Sequence, residues 1–132
     1  MKLLSDTSAL LALLFADDQN HRAAAAFARR SPQTRFVLTE LILAEVVTRA
    51  RARAGAERAV GVANDLLASR RYELLFVDAE ILRGALSRME RFADKRLSLT
   101  DCASFEVIDR LGLAGAFSFD RDFRDCGYRM LP

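Results

Sequence analysis

Apolar residues follow two rhythms along this chain. Short runs such as Leu3-Leu4, Phe36-Val37-Leu38, Leu74-Leu75-Phe76-Val77 and Ala116-Phe117, each bounded by polar residues, have the length of buried strands. Between them lie longer stretches with apolar residues at helical spacing, as in Ala59, Val62, Ala63, Leu66 and Leu67. The pattern predicts strands over 1–4, 35–38, 73–77, 116–119 and 128–131. Thr7 or Ser8 caps a helix to about Phe15, and Asp17 or Asp18 opens another that ends near Ser31-Pro32. Thr39 caps a helix over 40–53 that Gly55 stops, and Gly61 interrupts the next, over 56–69. Two further helices are expected over 79–92 and, capped by Ser98, from there to Leu111. A charged loop over 93–97 separates them, and the last two strands are joined by an Asp-rich turn.

Strands alternating with helices at this spacing predict an α/β sandwich, with a mostly parallel sheet of about five strands flanked by helices. Residues 1–132 fit one domain, because no Pro- or Gly-rich linker divides them.

Composition narrows the class. Hydrophobic residues at 52% and charged residues at 29% describe a folded globular chain. Cys102 and Cys126 have neither C-x-x-C nor zinc-type spacing, which fits reduced thiols and a cytoplasmic address. The apolar run from Ala9 to Phe15 is too short to span a membrane. A net charge of +2 gives no basic face for nucleic acid by itself. Nearly all the cations are Arg, whose planar fork suits phosphate, although a genomic bias toward Arg codons explains the same count.

The carboxylates carry the chemistry. Asp6 follows the first strand and Asp120 follows Phe117-Ser118-Phe119, the position where open α/β sheets bind ligands. Glu45 sits among apolar residues in Leu41-Ile42-Leu43-Ala44-Glu45-Val46-Val47, and Asp101 opens a helix in Leu97-Ser98-Leu99-Thr100-Asp101. Each has a plain structural alternative. Asp6 serves as a helix cap, Glu45 as an i,i+4 partner of Arg49, Asp101 as half of a capping box with Ser98, and Asp122 as turn chemistry. Carboxylates gathered in one cleft raise one another's pKa, and bound divalent cations relieve this. Oxygen-only ligands select Mg²⁺ or Mn²⁺, which makes phosphodiester hydrolysis the expected reaction.

His21 is the only histidine, so two-histidine acid/base catalysis is excluded, and we expect it at the surface. No P-loop or G-x-G-x-x-G occurs.

The segments Leu4-Ser5-Asp6-Thr7-Ser8, Leu43-Ala44-Glu45-Val46, Leu97-Ser98-Leu99-Thr100-Asp101-Cys102 and Phe117-Ser118-Phe119-Asp120-Arg121-Asp122 together resemble a PIN-domain ribonuclease, more narrowly a VapC-type toxin. The likeness covers essentially the whole chain. It implies a single PIN domain with a three-layer sandwich, and Asp6, Glu45, Asp101 and Asp120 as catalytic and metal-binding residues, with Asp122 as an occasional extra ligand. It also implies an Mg²⁺- or Mn²⁺-dependent endoribonuclease acting on RNA, commonly a homodimer, silenced by a small antitoxin protein. Ser118 stands where family members often have Thr. Two other readings compete. A phosphatase with Asp6 as nucleophile wants a second Asp at position 8, which is Ser. A catalytically idle module that binds RNA or protein would have lost one of the acids.

Overall fold

The computed structural model describes residues 1–132. Strand β1 (Lys2–Ser5) leads into helix α1 (Thr7–Leu14), then α2 (His21–Arg30) and β2 (Arg35–Thr39). Helices α3 (Glu40–Ala54) and α4 (Ala56–Ala68) precede β3 (Tyr72–Leu75). Helices α5 (Ala79–Arg91) and α6 (Leu99–Leu111) come before β4 (Ala116–Phe117), and a short α7 (Arg121–Asp125) before β5 (Met130–Leu131).

The five strands form one sheet in the order β3-β2-β1-β4-β5, and every pairing is parallel. The chain builds outward from β1 on one side through β2 and β3, then crosses to the other side for β4 and β5. That reversal makes the junction of β1 and β4 the topological switch point, where the carboxyl ends of two strands leave a crevice.

Alternation along the strands divides the core in two. Leu4, Val37 and Ala116 face a large apolar cluster fed by α3, α4, α5 and α6, while Leu3, Phe36 and Phe117 face a smaller one with Ala9, Ala12, Ala24 and Phe27. Layers of helix, sheet and helix result, as the buried two-sided strands require.

One polar network ties the far wall together. The Arg88 side chain, only 13% exposed, donates to Glu106 at 2.6 Å, Asp109 at 2.5 Å and the Tyr128 hydroxyl at 2.7 Å. Arg110 adds a second guanidinium on Glu106 at 2.8 Å. Burial and the Asp109 hydrogen bond push the Tyr128 phenol up to about 12.

Several boundaries differ from the sequence expectation, each for a local reason. The helix α1 is capped by Asp6 itself, whose side chain accepts the Ser8 N–H, and not by Thr7 or Ser8. Asp18 does not open α2; it accepts the Asn20 N–H at 2.8 Å in a turn, and the helix starts at His21. His21 is half-buried, and its Nδ1 donates to the Ala12 carbonyl at 2.8 Å, so it ties α2 to α1. Gly61 leaves α4 uninterrupted, because buried Ala59, Val62 and Leu66 hold the helix on the core and outweigh a propensity cost of about 1 kcal/mol. The Asp-rich turn contains α7, capped by Asp120, whose side chain accepts the Asp122 N–H. That helix shortens both flanking strands: Gly127 N–H and Tyr128 N–H bond back to Arg124 and Phe123, so pairing resumes only at Met130.

Candidate active site

Asp6 lies at the switch point, one residue past β1 and only 5% exposed. Two serines orient it. Ser8 Oγ donates to Asp6 Oδ2 at 2.7 Å, and Ser118 Oγ donates to the same oxygen at 3.0 Å. Each hydroxyl spends its acceptor capacity on the segment after β4. The Phe119 N–H reaches Ser8 Oγ at 3.0 Å, and the Asp120 N–H reaches Ser118 Oγ at 3.0 Å. The chain carrying Asp120 is therefore latched onto the hydroxyls that hold Asp6.

Asp120 caps α7, and its Oδ1 accepts the Asp122 N–H at 2.9 Å, which holds the two acids together at the start of that helix. Asp101 comes from the first turn of α6. The capping box with Ser98 is present in both directions, with Ser98 N–H to Asp101 Oδ2 and Asp101 N–H to Ser98 Oγ both at 3.0 Å. Glu45, half-buried on α3, completes the set. The alternative role, an ion pair with Arg49, does not form within 4.0 Å, and the guanidinium acts on it only through space.

These residues line one cleft of about 320 Å³, with Thr7, Ser8, Arg49, Arg96 and Ser98 as the remaining lining and no hydrophobic side chain among them. Ligand pockets are ordinarily mostly apolar, so this one suits ions, water and charged backbone rather than an apolar molecule. All four acids singled out from sequence, and Asp122, meet there. Asp101, Asp120 and Asp122 each offer an oxygen within 4.8 Å of the other two; Asp6 and Glu45 line the cleft outside that tighter group.

Burial pushes the Asp6 carboxyl above its ordinary range against the pull of Ser8 and Ser118, and Asp120 pushes it further. Burial likewise raises Asp101, with repulsion from Asp6 and Asp120 added, and raises Glu45, with Asp6 and Asp101 as the repelling neighbours. Asp122 rises through burial and then through Asp120 and Asp101. The acids thus strain against one another, the condition that a bound cation relieves.

The donor set fits a hard divalent ion. Its atoms are all oxygens, and a 4.8 Å spread is near the span of two ion–oxygen bonds of about 2.1–2.6 Å each. Thr7 also stands in the cleft wall, and its Oγ1 is buried without a hydrogen-bond partner.

Four residues of the cleft escaped the sequence reading as site members. Thr7, Ser8 and Ser98 read as helix caps, and Arg96 lay in a charged loop.

Comparison with known proteins points the same way. A profile of the PIN domain matches residues 3–127. Among solved structures, the chain is similar to Mycobacterium tuberculosis VapC20, described as a sarcin-ricin loop cleaving toxin, at 28% identity and TM-score 0.88 over 96% of both chains. VapBC2 from Rickettsia felis, solved bound to a DNA fragment from their promoter, superposes with TM-score 0.71 at 11% identity, over 96% of this chain and 94% of that one. A toxin-antitoxin complex from Klebsiella pneumoniae gives 0.65 at 15%, over 92% and 88%. At those identities the last two show shared fold alone. No curated protein matches the sequence.

Proposed function

The chain belongs to the PIN-domain family, and from that premise we propose that it is a divalent-metal-dependent endoribonuclease, the toxin of a toxin-antitoxin pair. One observation carries the proposal: five carboxylates from four separate segments converge at the switch point, in a cleft without an apolar wall. The similarity to VapC20 supports RNA as substrate class.

In this reading Asp6, Glu45, Asp101 and Asp120 hold Mg²⁺ or Mn²⁺, with Asp122 as a further ligand to the same cluster. The chemistry supplied when such an ion is bound is activation of water and neutralisation of charge on the phosphodiester under attack. The protein's own part is orientation. Ser8 and Ser118 fix the Asp6 carboxylate through one oxygen, so the other is not tied by any side chain. The Ser98 capping box fixes Asp101, and the α7 cap fixes Asp120 beside Asp122. Because these groups are locked before substrate arrives, little reorganisation is needed during reaction.

The two toxin-antitoxin complexes of the same fold support an antitoxin protein as partner. Val60 and Leu67 on α4, Phe76 after β3, and Leu82 and Leu86 on α5 are large exposed apolar side chains that support a homodimer. No helix is long and apolar enough to cross a membrane; we place the protein in the cytoplasm, with its RNA.

The test is cleavage of a mixed structured RNA pool, with a sarcin-ricin loop transcript as a separate arm, by purified protein and by Asp101→Asn from the same preparation. Cleavage in Mg²⁺ that is lost in EDTA and in the variant is the expected result. Equal cleavage by both proteins removes Asp101 from the site. Silence from folded wild type on both substrates, with RNA binding intact in EDTA, favours the idle binding module.

A further inference from the structure

Resting on that nuclease reading, we propose that Arg49 and Arg96 form a two-sided grip on the RNA backbone, each binding a phosphate beside the acidic centre. They are the only cations that line the cleft. Arg49 stands one helical turn beyond Glu45 on α3, and Arg96 stands in the loop two residues before the Ser98 cap of α6. The α3 and α6 walls thus each present a guanidinium of their own beside their acid.

Neither guanidinium is committed elsewhere. Other arginines are engaged: Arg53 with Asp17, Arg88 with Glu106 and Asp109, Arg110 with Glu80 and Glu106, and Arg71 with the carbonyls of Ala28, Ser31 and Thr34. Arg49 and Arg96 make no ion pair and donate no hydrogen bond, though five carboxylates share their cleft. Both are exposed, with their forks available to a ligand.

The charge balance gives them a task. Five ionised carboxylates against two guanidiniums leave three negative charges, more than one divalent ion cancels. Without the two arginines, phosphates on either side of the cleaved bond would meet an acidic wall at short range, where repulsion is poorly screened. A guanidinium binds two phosphate oxygens through parallel N–H donors, so each arginine both attracts the strand and sets its register.

The test measures binding of a fluorescein-labelled, mixed-sequence 12-nucleotide single-stranded RNA against KCl concentration in Mg²⁺. Asp101→Asn protein is the background, RNA integrity is checked on a gel, and Arg49→Gln, Arg96→Gln and the double variant are compared. Arg124→Gln, on α7 outside the cleft lining, is the control. Each cleft variant should lower affinity about tenfold at low salt and flatten the plot of log K against log salt by about 0.7, the double variant by about 1.4. Melting temperatures should not move, which a merely structural role would not allow. Unchanged slopes in both single variants, or no RNA binding by the background protein, overturn the grip. Mg²⁺-dependent cleavage by the native chain is measured alongside: cleavage with unchanged slopes rejects the grip and spares the nuclease, whereas flattened slopes without cleavage do the reverse.

Discussion

Ser8 Oγ donates to Asp6 Oδ2 at 2.7 Å while it accepts the Phe119 N–H at 3.0 Å, so one hydroxyl joins the acid after β1 to the chain after β4. Asp6 and Phe119 are more than a hundred residues apart in sequence, and Ser118 makes the parallel pair of bonds, to Asp6 and from the Asp120 N–H. Ser8→Ala should loosen Asp6 and Asp120 together. We expect cleavage and Mg²⁺ affinity to fall about 10–100-fold, as for outer partners of metal ligands. Stability should fall by about 1–2 kcal/mol, because Ser118 still bonds Asp6. Unchanged activity, with the stability loss present, would confine Ser8 to the fold.

The buried acid should oppose folding when no ion is bound. Asp6→Asn keeps a good helix cap while it removes a charge held at 5% exposure. In EDTA at neutral pH this variant should melt about 3–6 °C above wild type, the shift that roughly 1 kcal/mol produces in a chain of this size. Adding Mg²⁺ should raise the wild-type melting temperature and leave the variant nearly unmoved, while cleavage is lost only in the variant. Calorimetry with and without chelator decides it.

The same cluster fixes a pH dependence. Asp6, Glu45 and Asp101 bind protons more readily folded than unfolded, so stability in EDTA should decline as pH rises from about 4 through their raised values. Glu106 has the opposite sign. Burial alone would raise it, but hydrogen bonds from Arg88 and Arg110 win and hold it below its ordinary 4.5. Its stabilisation is full above about pH 4.5 and is lost as pH falls through the lowered folded value. Glu106→Gln should cost about 3 kcal/mol at pH 7, since Arg88 keeps little solvent. Urea melts of the two proteins should draw together as pH falls from about 4.5 through the lowered folded value; a gap that stays constant over that fall would assign the loss to packing.

Two glycines inside helices should answer oppositely to alanine. A Cβ at Gly61 meets nothing within 4 Å, so Gly61→Ala should stabilise by about 0.5–1 kcal/mol. At Gly84 it would overlap the Glu106 carboxyl group, which two arginines hold in place. Gly84→Ala should therefore destabilise by about 1–3 kcal/mol in spite of better helix propensity. Stabilisation at both sites would show that Glu106 moves aside freely.

Local signals account for what could be read before the structure. Asp6, Glu45, Asp101 and Asp120 stand beside apolar runs where a charge is out of place, and their elements have clear periods or caps. Arg96 carried no such signal, since a cation in a charged loop resembles any solvated one; only the packing of α6 against β1 brings it to the cleft. Ser8 was visible as a cap but not as a latch, because Phe119 lies over a hundred residues away. Helix α7 escaped for want of length: five residues are too few for a helical period, and the strand pattern around it overran on both sides.

The pairing of Leu4 with Ala116 gives the protein a built-in delay. During synthesis β1 is made first and waits for β4, and Asp120 and Asp122 are latched only after that strand has slotted in beside it. Until then a growing chain has Asp6, Glu45 and Asp101 but no closed acidic centre. A chain still on the ribosome therefore lacks its closed acidic cleft until β4 has paired with β1.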